Sequence, residues 1–286
     1  MMNSTLRRLA SVHDPIGSRR SVETLFLSDC HLGARHARTA DLLAFLQSIR
    51  PRQVYLVGDI VDGWALRRRW RWTDLETECL RELLGWGGSG IPIHYAAGNH
   101  DNFLEPFLND FGWARIDREF RHKAANGKQY LVVHGDRFDD EIGTPGWKTW
   151  IGSVGYDALF WLGAKVNQLR DRCKLPPTDM VQRWRNSLPA AQEHLARWEA
   201  ASARHAQANN CDGIICGHVH TPRIRWIGGI EYINIGDWME NKVALVETEA
   251  GTLCHWPDRD DGPCVTRMHA RQFAPDRKVP SLEAAG

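Results

Sequence analysis

Short apolar runs alternate with amphipathic stretches along the chain. The runs are each bounded by polar or turn-forming residues and predict buried strands over 24–28, 54–57, 91–97, 129–133 and 213–216. Between the first three runs, apolar residues recur at helical spacing and predict helices from Asp41 to Ile49 and from Asp74 to Trp86, with Gly87 and Gly88 ending the second. Strands that alternate with helices in this way predict an α/β fold.

This rhythm breaks in the second half of the chain. Tryptophan, leucine, alanine and arginine are frequent at about 145–210, which predicts a helical insertion over the strand ends, forming either a hydrophobic pocket or a core. Gly228-Gly229 then separates two strand-like runs and predicts a hairpin, followed by a last strand from Lys242 to Thr248 in an antiparallel part of the β structure. The expected domain covers 21–256, with a flexible arm at 1–20 and a loose tail at 257–286.

A polar cluster follows each of the five apolar runs. The clusters are Asp29-Cys30-His31, Gly58-Asp59-Ile60-Val61-Asp62, Gly98-Asn99-His100-Asp101, His134-Gly135-Asp136 and Gly217-His218-Val219-His220. In open α/β sheets, ligands bind beyond the carboxyl ends of the strands. The repeated placement therefore predicts one site built from five strand ends. Cys30, between two of these polar residues, is expected to pack as a small buried hydrophobe.

The residue types in these clusters favour metal binding. Asp29 and His31 alternate, so on an extended strand both side chains point the same way and can chelate one ion. The two oxygens of Asp59 can bridge that ion to a second one, and the clusters offer further ligands in Asn99, His134, His218 and His220. Oxygen and nitrogen donors without thiolates suit Mn²⁺, Fe or Zn²⁺ rather than Ca²⁺. Two such ions about 3.5–4 Å apart clamp a phosphate and activate water for in-line attack.

Composition and charge narrow the class of protein. With 43% hydrophobic and 25% charged residues, the chain reads as a soluble globular protein, and a net charge of +1 weighs against long nucleic acid as a partner. Seven cysteines, an odd number without a CxxC pair, disfavour a disulfide framework and a thiolate zinc site. Neither a signal-peptide core at 1–20 nor a long apolar run is present, so we expect a cytoplasmic protein, with peripheral contact to the inner face of a membrane left open.

The five clusters, in this order and spacing, resemble the sequence blocks of the calcineurin-like metallophosphoesterase superfamily over residues 25–222. The resemblance implies a four-layer α/β/β/α sandwich with a dinuclear metal site. It implies that one ion is held by Asp29, His31, Asp59 and His220, and the other by Asp59, Asn99, His134 and His218. It further implies that His100 donates a proton to the leaving oxygen or clamps the phosphate, and that Asp101 orients the imidazole of His100.

Within the superfamily, the chain resembles the UDP-2,3-diacylglucosamine diphosphatase-like branch. The matching motifs are Ser28-Asp29-x-His31-Leu32-Gly33, Asp62-Gly63-Trp64 and Tyr232-x-Asn234-x-Gly236-Asp237-Trp238. The branch implies cleavage, with two divalent ions and Mn²⁺ first among them, of the diphosphate of a nucleotide-linked acylated sugar in lipid A synthesis at the inner membrane. The best-known enzymes of that activity carry Arg at the position of His100.

A basic and aromatic run follows the second cluster. Arg67, Arg68 and Arg69 stand next to two further tryptophans, and Trp64 precedes them. Such a run is either a solvated face or a surface that binds a diphosphate or an anionic membrane, because arginine suits phosphate and tryptophan suits the lipid–water boundary. Three functions therefore stay open: a lipid-linked nucleotide-sugar pyrophosphatase, a phosphodiesterase on another substrate, and a non-catalytic binding module.

Overall fold

A computed structural model of the chain describes residues 19–107, 112–143, 170 and 189–256. The strands of these residues are β1 (Arg20–Leu27), β2 (Ile49–Val57), β3 (Ile93–Ala96), β4 (Arg115–Asp117), β5 (Glu119–Lys123), β6 (Gln129–Val133), β7 (Gly213–Cys216), β8 (Arg223–Ile227), β9 (Ile230–Asn234), β10 (Ala244–Glu247) and β11 (Leu253–Trp256). The α-helices are α1 (Thr39–Ser48), α2 (Gly63–Arg68), α3 (Asp74–Gly88), α4 (Arg137–Glu141) and α5 (Pro189–Ala208), and a 3₁₀ helix spans Asn102–Phe107.

The described strands form two sheets. The first has the order β11-β10-β1-β2-β3-β4, in which β1 to β4 run parallel and β10 and β11 add an antiparallel edge. The second has the order β5-β6-β7-β9-β8, with β6, β7 and β9 parallel and β5 and β8 antiparallel at its two edges. The parallel strands of each sheet carry their loops to one end, where the predicted polar clusters lie.

Three apolar cores separate four layers. Within β1, Leu25 and Leu27 pack against helices α1 and α3, whereas Phe26 packs between the two sheets. Within β6, Val132 lies in the same inter-sheet core, whereas Val133 packs against α5. Alternate side chains of a strand point to opposite faces, so each sheet buries both of its faces. The α/β/β/α sandwich expected from the sequence is confirmed.

Helix α3 begins where side chains satisfy its first backbone amides. There the Thr73 hydroxyl accepts a hydrogen bond from the backbone nitrogen of Leu75 (3.3 Å), and the Glu76 carboxylate accepts one from the backbone nitrogen of Thr73 (2.8 Å). This capping box stabilises the helix end. The helix continues through Gly87 and Gly88, which the sequence pattern placed just after its end. None of the helices in the described part of the chain is long and apolar enough to cross a membrane.

The strands after β7 were expected to form a separate antiparallel part of the β structure, and the structure differs from this expectation. Strands β8 and β9 form the predicted hairpin, but β9 also pairs parallel to β7, and β10 crosses to the first sheet beside β1. Strands β4, β5 and β11 were not predicted. The predicted arm reaches Arg20, which instead starts β1. Most of the expected insertion and the whole tail at 257–286 lie outside the described residues.

The described cysteines follow the expectation with one exception. Cys30 is buried among the residues of the first core, as a small apolar side chain would be. Cys79, Cys211 and Cys216 are likewise buried free thiols. Cys254 is disulfide-bonded, a cross-link that the odd cysteine count did not lead us to expect.

Candidate metal centre

The polar clusters meet at one end of the two sheets, on backbones with an unusual conformation. Seven described non-glycine residues have a positive φ angle, and five of them are predicted ligands: Asp29, His31, Asp59, His218 and His220, at +51°, +47°, +54°, +67° and +49°. L-residues rarely adopt this left-handed region, and such strain persists only where the surrounding structure imposes it. The loops are therefore built to hold these side chains in place.

Asp29 and His31 converge for a different reason from the one predicted. Strand β1 ends at Leu27, so the two residues do not alternate along an extended strand. The loop instead continues to bond the neighbouring loop after β2: the Asp29 nitrogen donates to the Gly58 oxygen (3.1 Å) and the His31 nitrogen to the Asp59 oxygen (2.9 Å). Left-handed turns within this paired backbone direct both side chains to the centre.

Asp59 is the central carboxylate of the cluster. Its Oδ1 accepts a hydrogen bond from the backbone nitrogen of His100 (2.8 Å). Its Oδ2 lies 3.3 Å from Nε2 of His134 and 3.9 Å from Nε2 of His31. One carboxylate oxygen thus faces imidazoles that come from two different sheets, which is the position required of a bridging ligand.

Three buried polar atoms at this centre have no hydrogen-bond partner: Nε2 of His31, Oδ1 of Asn99 and Nε2 of His134. The opposite nitrogen of each imidazole is engaged, since Nδ1 of His134 donates to the Val57 oxygen (2.9 Å) and Nδ1 of His31 contacts Asp62 (3.2 Å). This leaves Nε2 as the nitrogen of each ring that faces the Asp59 carboxylate. A buried polar atom without a partner is costly, and a metal ion would satisfy all three.

The carboxylates and imidazoles lie close enough together for several of them to bind the same ion. Three groups each have ligand atoms within 4.8 Å of one another: Asp29 with His31 and His220, His31 with Asp59 and His100, and Asp29 with Asp59 and His134. Nε2 of His220 contacts Oδ1 of Asp29 at 3.0 Å. The overlapping membership of Asp29, Asp59 and His31 fits a centre for two ions better than a centre for one.

The site is electrostatically coupled even without an ion. Burial raises the pKa of the Asp29 carboxyl, but the imidazoles of His220 and His134 outweigh it and bring that pKa down to about 2. Burial lowers the pKa of His31, but its bond to Asp62 and the charge of Asp59 raise it to about 9. Opposite charges held close together in a buried site account for both directions.

His100 is oriented by Asp62 and not by Asp101, contrary to the expectation. Nδ1 of His100 contacts Oδ1 of Asp62 at 3.0 Å, and the Trp64 ring packs on the imidazole with ring centroids 4.2 Å apart. The same carboxylate contacts Nδ1 of His31 and caps α2 by accepting from the Ala65 nitrogen (2.7 Å). Asp62 thus holds two of the histidines of the cluster.

Asp101 instead holds the turn that carries Asn99 and His100. It is fully buried, its Oδ1 accepts from the Gly98 nitrogen (2.6 Å), and its Oδ2 accepts from the Ile60 nitrogen (2.9 Å) and the Tyr95 hydroxyl (2.6 Å). Burial, followed by the charge of Asp59, raises the pKa of Asp101 to about 6. No contact of Asp101 with the His100 ring is found among the described residues. The partner Tyr95 carried no sequence signal of this role.

The close packing of the turn explains its glycine. A Cβ atom at Gly98 would overlap the side chain of Asp59 and the ring of His134. Gly58, at φ +73°, faces the same ring, and a Cβ there would overlap it as well. The absence of a side chain at both positions lets the loops of the two sheets approach closely enough to share the central carboxylate.

The comparisons with known proteins agree with this geometry. The family model for calcineurin-like phosphoesterases matches residues 23–222, which is more than half of the chain. The chain belongs to the calcineurin-like phosphoesterase family. It is a hydrolase, and the family implies divalent metal ions. The described residues fit that requirement, because the oxygen and nitrogen donors converge and three of their atoms are buried without a partner.

Two relatives of this family cover most of the chain. A UDP-2,3-diacylglucosamine hydrolase of Neisseria meningitidis serogroup C (strain 053442) is 25% identical over 242 residues, covering 78% of this chain and 93% of its own. A second, of Xanthomonas axonopodis pv. citri (strain 306), is 27% identical over 247 residues, covering 80% and 97%. Among solved structures, an archaeal phosphodiesterase is similar at 12% identity and a TM-score of 0.39, covering 81% of this chain and 97% of its own.

The remaining predicted residues lie at the edge of the centre. Arg67, Arg68 and Arg69 are exposed at the end of α2, the short helix that begins at Asp62 and carries Trp64. Trp70 follows with 74% of its surface exposed. Since a helix rises 1.5 Å per residue, the arginines lie about 8–10 Å beyond Asp62 along the chain. They therefore lie at the end of the helix that Asp62 caps, beyond the residues of the metal centre in the chain.

Proposed function

We propose that this phosphoesterase hydrolyses the diphosphate of UDP-2,3-diacylglucosamine or a closely similar lipid-linked nucleotide, with two Mn²⁺ ions. The support for the substrate is that relatives named UDP-2,3-diacylglucosamine hydrolase align over 78–80% of the chain. The support for the chemistry, and the observation that carries it, is that two unpaired buried ligand atoms, Nε2 of His31 and Nε2 of His134, face the same oxygen of Asp59.

The proposed ligand sets follow the geometry and the resemblance together. Asp29, His31, Asp59 and His220 would hold one ion, and Asp59, Asn99, His134 and His218 would hold the other. When bound, such a pair of ions neutralises phosphate charge and supplies a nucleophilic water near neutral pH. Asp62 and the bonded backbone loops keep the imidazoles oriented before substrate arrives, so little reorganisation is required during the reaction.

His100 is proposed to act on the leaving oxygen. Asp62 occupies its Nδ1, so Nε2 is the nitrogen that can donate a proton or a hydrogen bond to substrate. The Trp64 ring fixes the plane of the imidazole from one face. This arrangement supports general-acid assistance at a position where the better-known enzymes of the resemblance carry arginine.

The arginines of α2 and its C-terminal end are proposed to bind the substrate diphosphate or the anionic membrane surface from which it comes. Exposed guanidinium groups beside an exposed tryptophan support this role. Replacing Arg67, Arg68 and Arg69 together by alanine should raise the KM for the lipid substrate about tenfold, with little change in turnover of a soluble aryl phosphodiester. An unchanged KM and unchanged binding to vesicles would show that these arginines only form a solvated surface.

The decisive test is UMP release from UDP-2,3-diacylglucosamine in the presence of Mn²⁺. The proposal expects metal-dependent release of UMP together with the acylated sugar phosphate. Hydrolysis of a generic aryl phosphodiester without UMP release would favour a phosphodiesterase on another substrate. Hydrolysis of neither compound, under conditions where Mn²⁺ binds, would leave a binding module and contradict the proposal.

A further inference from the structure

A buried carboxylate outside the five sequence blocks contacts one of the proposed ligands. Asp139 lies in α4, directly after the His134 block, and is 9% exposed. Its Oδ2 lies 2.9 Å from Nε2 of His218. A separation of this length is a hydrogen bond with charge assistance from the carboxylate.

This bond decides which nitrogen of His218 is left for a ligand. An ionised carboxylate only accepts hydrogen bonds, so Nε2 of His218 carries the proton that it donates to Asp139. Nδ1 is then the nitrogen with a free lone pair. His31 and His134 are arranged in the opposite sense, with Nδ1 engaged and Nε2 unpaired.

Helix α5 holds the same pair from a second direction. The fully buried ring of Trp198 lies nearly parallel to the His218 imidazole, with a centroid distance of 6.1 Å and an angle of 24°. One turn earlier in α5, Nε2 of His194 lies 3.8 Å from Oδ1 of Asp139. The backbone nitrogen of His218 also donates to Oδ2 of Asp29 (3.0 Å). The position of His218 is therefore fixed by contacts to one face of its ring, to Nε2 and to its backbone nitrogen.

We propose that Asp139 is a positioning residue of the metal centre: it fixes His218 as the Nε2–H tautomer and directs Nδ1 to the second ion. The inference rests on the proposed function of the site, because it assigns a role to a ligand of that site. Carboxylate partners of metal-binding histidines fix both the tautomer and the ring orientation, and their loss costs about 10- to 100-fold in metal affinity.

The test compares Asp139→Ala and Asp139→Asn with Asp140→Asn as the matched control. Asp140 is the next residue of the same helix and is exposed. The apoproteins are titrated with Mn²⁺ in competition with a fluorescent chelator. We expect Asp139→Ala to weaken one of the two sites about 10- to 100-fold, Asp139→Asn to weaken it about 3- to 10-fold because a neutral amide oxygen accepts more weakly, and Asp140→Asn to bind as the wild type does.

The tautomer is measured separately by long-range ¹H–¹⁵N NMR on histidine-labelled apoprotein at alkaline pH. We expect the proton of His218 on Nε2 in the wild type and in Asp139→Asn, and a shift toward Nδ1–H in Asp139→Ala. A wild-type proton on Nδ1, or wild-type Mn²⁺ affinity in folded Asp139→Ala, overturns the inference. If the alanine variant does not fold, wild-type affinity in Asp139→Asn overturns it.

The failure of this inference differs from a failure of the proposed function. Wild-type protein that binds Mn²⁺ but releases no UMP contradicts the proposed substrate and leaves the role of Asp139 intact. Wild-type protein that releases UMP while both Asp139 variants bind Mn²⁺ normally contradicts the role of Asp139 alone.

Discussion

Two buried clusters of carboxylate and imidazole groups in this fold contrast sharply. The first, here the open cluster, comprises Asp29, His31, Asp59, Asn99 and His134. The second, the closed cluster, comprises Thr24, His122 and Glu247. In the closed cluster Oε2 of Glu247 accepts from Thr24 (2.7 Å) and bonds Nε2 of His122 (2.8 Å), and Oε1 accepts from the Ala125 nitrogen (2.7 Å).

The two clusters differ in whether their buried polar atoms have hydrogen-bond partners, and in backbone conformation. No atom of the closed cluster is among the buried polar atoms without a partner in the described residues, whereas three atoms of the open cluster are. Three residues of the open cluster have left-handed backbones, and none of the closed cluster does. A buried acid–imidazole pair is therefore not in itself a sign of function. Unpaired atoms on strained loops distinguish a ligand site from a structural bridge.

The largest expected effect lies in the open cluster. Replacing Asn99 or His134 by alanine removes one ligand of the proposed second ion and should lower kcat/KM for an aryl phosphodiester with Mn²⁺ about 1000-fold or more, equivalent to about 4 kcal/mol. The free energy of unfolding of the apoprotein should change little in Asn99→Ala, because the side-chain oxygen that it removes has no partner, whereas His134→Ala also removes the bond from Nδ1 to the Val57 oxygen. Activity of either variant within tenfold of wild type would contradict the assignment of the open cluster as the ligand site.

The closed cluster should respond in the opposite way. Glu247→Ala leaves His122 and the Ala125 nitrogen without their acceptor and should lower the free energy of unfolding by about 3 kcal/mol. Activity per folded molecule should stay close to wild type because the cluster lies about 16 Å along β1 from Asp29. Urea unfolding and initial rates on the same samples provide the measurement. A stable but inactive variant would place this cluster in the functional machinery.

Metal linkage provides a third contrast. Mn²⁺ at a hundred times its Kd should stabilise the wild-type protein by about 2.7 kcal/mol for each site that it fills, because the ion binds the native state. The rise in Tm on adding Mn²⁺ should be reduced in Asn99→Ala and preserved in Glu247→Ala. An equal rise in both variants would mean that the ions bind outside the open cluster.

The smallest expected effect is a pH dependence in the closed cluster. Burial raises the pKa of Glu247, but the bonds from His122 and Thr24 outweigh it, so the pKa is lowered overall. Its contribution to stability is therefore fully present above the unfolded pKa of about 4.3 and is lost as the pH falls below it. The stability difference between wild type and Glu247→Gln, about 1 kcal/mol at neutral pH, should shrink in urea titrations toward pH 3.5. A difference independent of pH would contradict the assignment.

Strand and helix periodicity was sufficient to predict an α/β fold but not the sheet edges, and the four layers were implied only by the family resemblance. Strands β3, β6 and β7 and the last four residues of β1 and β2 are mostly apolar and buried on both faces, which the sequence shows directly. Strand β5 also alternates, but one of its two buried side chains is His122, so its apolar pattern is incomplete. Strand β4 has three residues and only Ile116 is buried. Such short, polar edge strands form because they hydrogen-bond to a neighbouring strand of the sheet, and their own sequence pattern does not predict them.

The residues of the candidate site could be named from sequence, but their contacts could not. The clusters at strand ends predicted which side chains meet, because parallel strands bring their carboxyl ends together. The left-handed turns at Asp29 and His31 arise from bonds to the loop after β2, which no local pattern encodes. The partner of the His100 ring is Asp62, which is distant in sequence but close in the fold, and not Asp101, which follows His100 in the chain. Asp139 lacked any signal, since its role depends on contact with a distant loop.

If the open cluster, and not the closed one, holds the metal ions, the number of bound ions should depend on Asn99 and not on Glu247. Equilibrium dialysis against Mn²⁺ with elemental analysis measures the number of ions per chain in wild type, Asn99→Ala and Glu247→Gln. We expect about two ions for the wild type and for Glu247→Gln, and about one for Asn99→Ala at the same free concentration. Two tightly held ions in Asn99→Ala, or none in the wild type, would contradict this expectation.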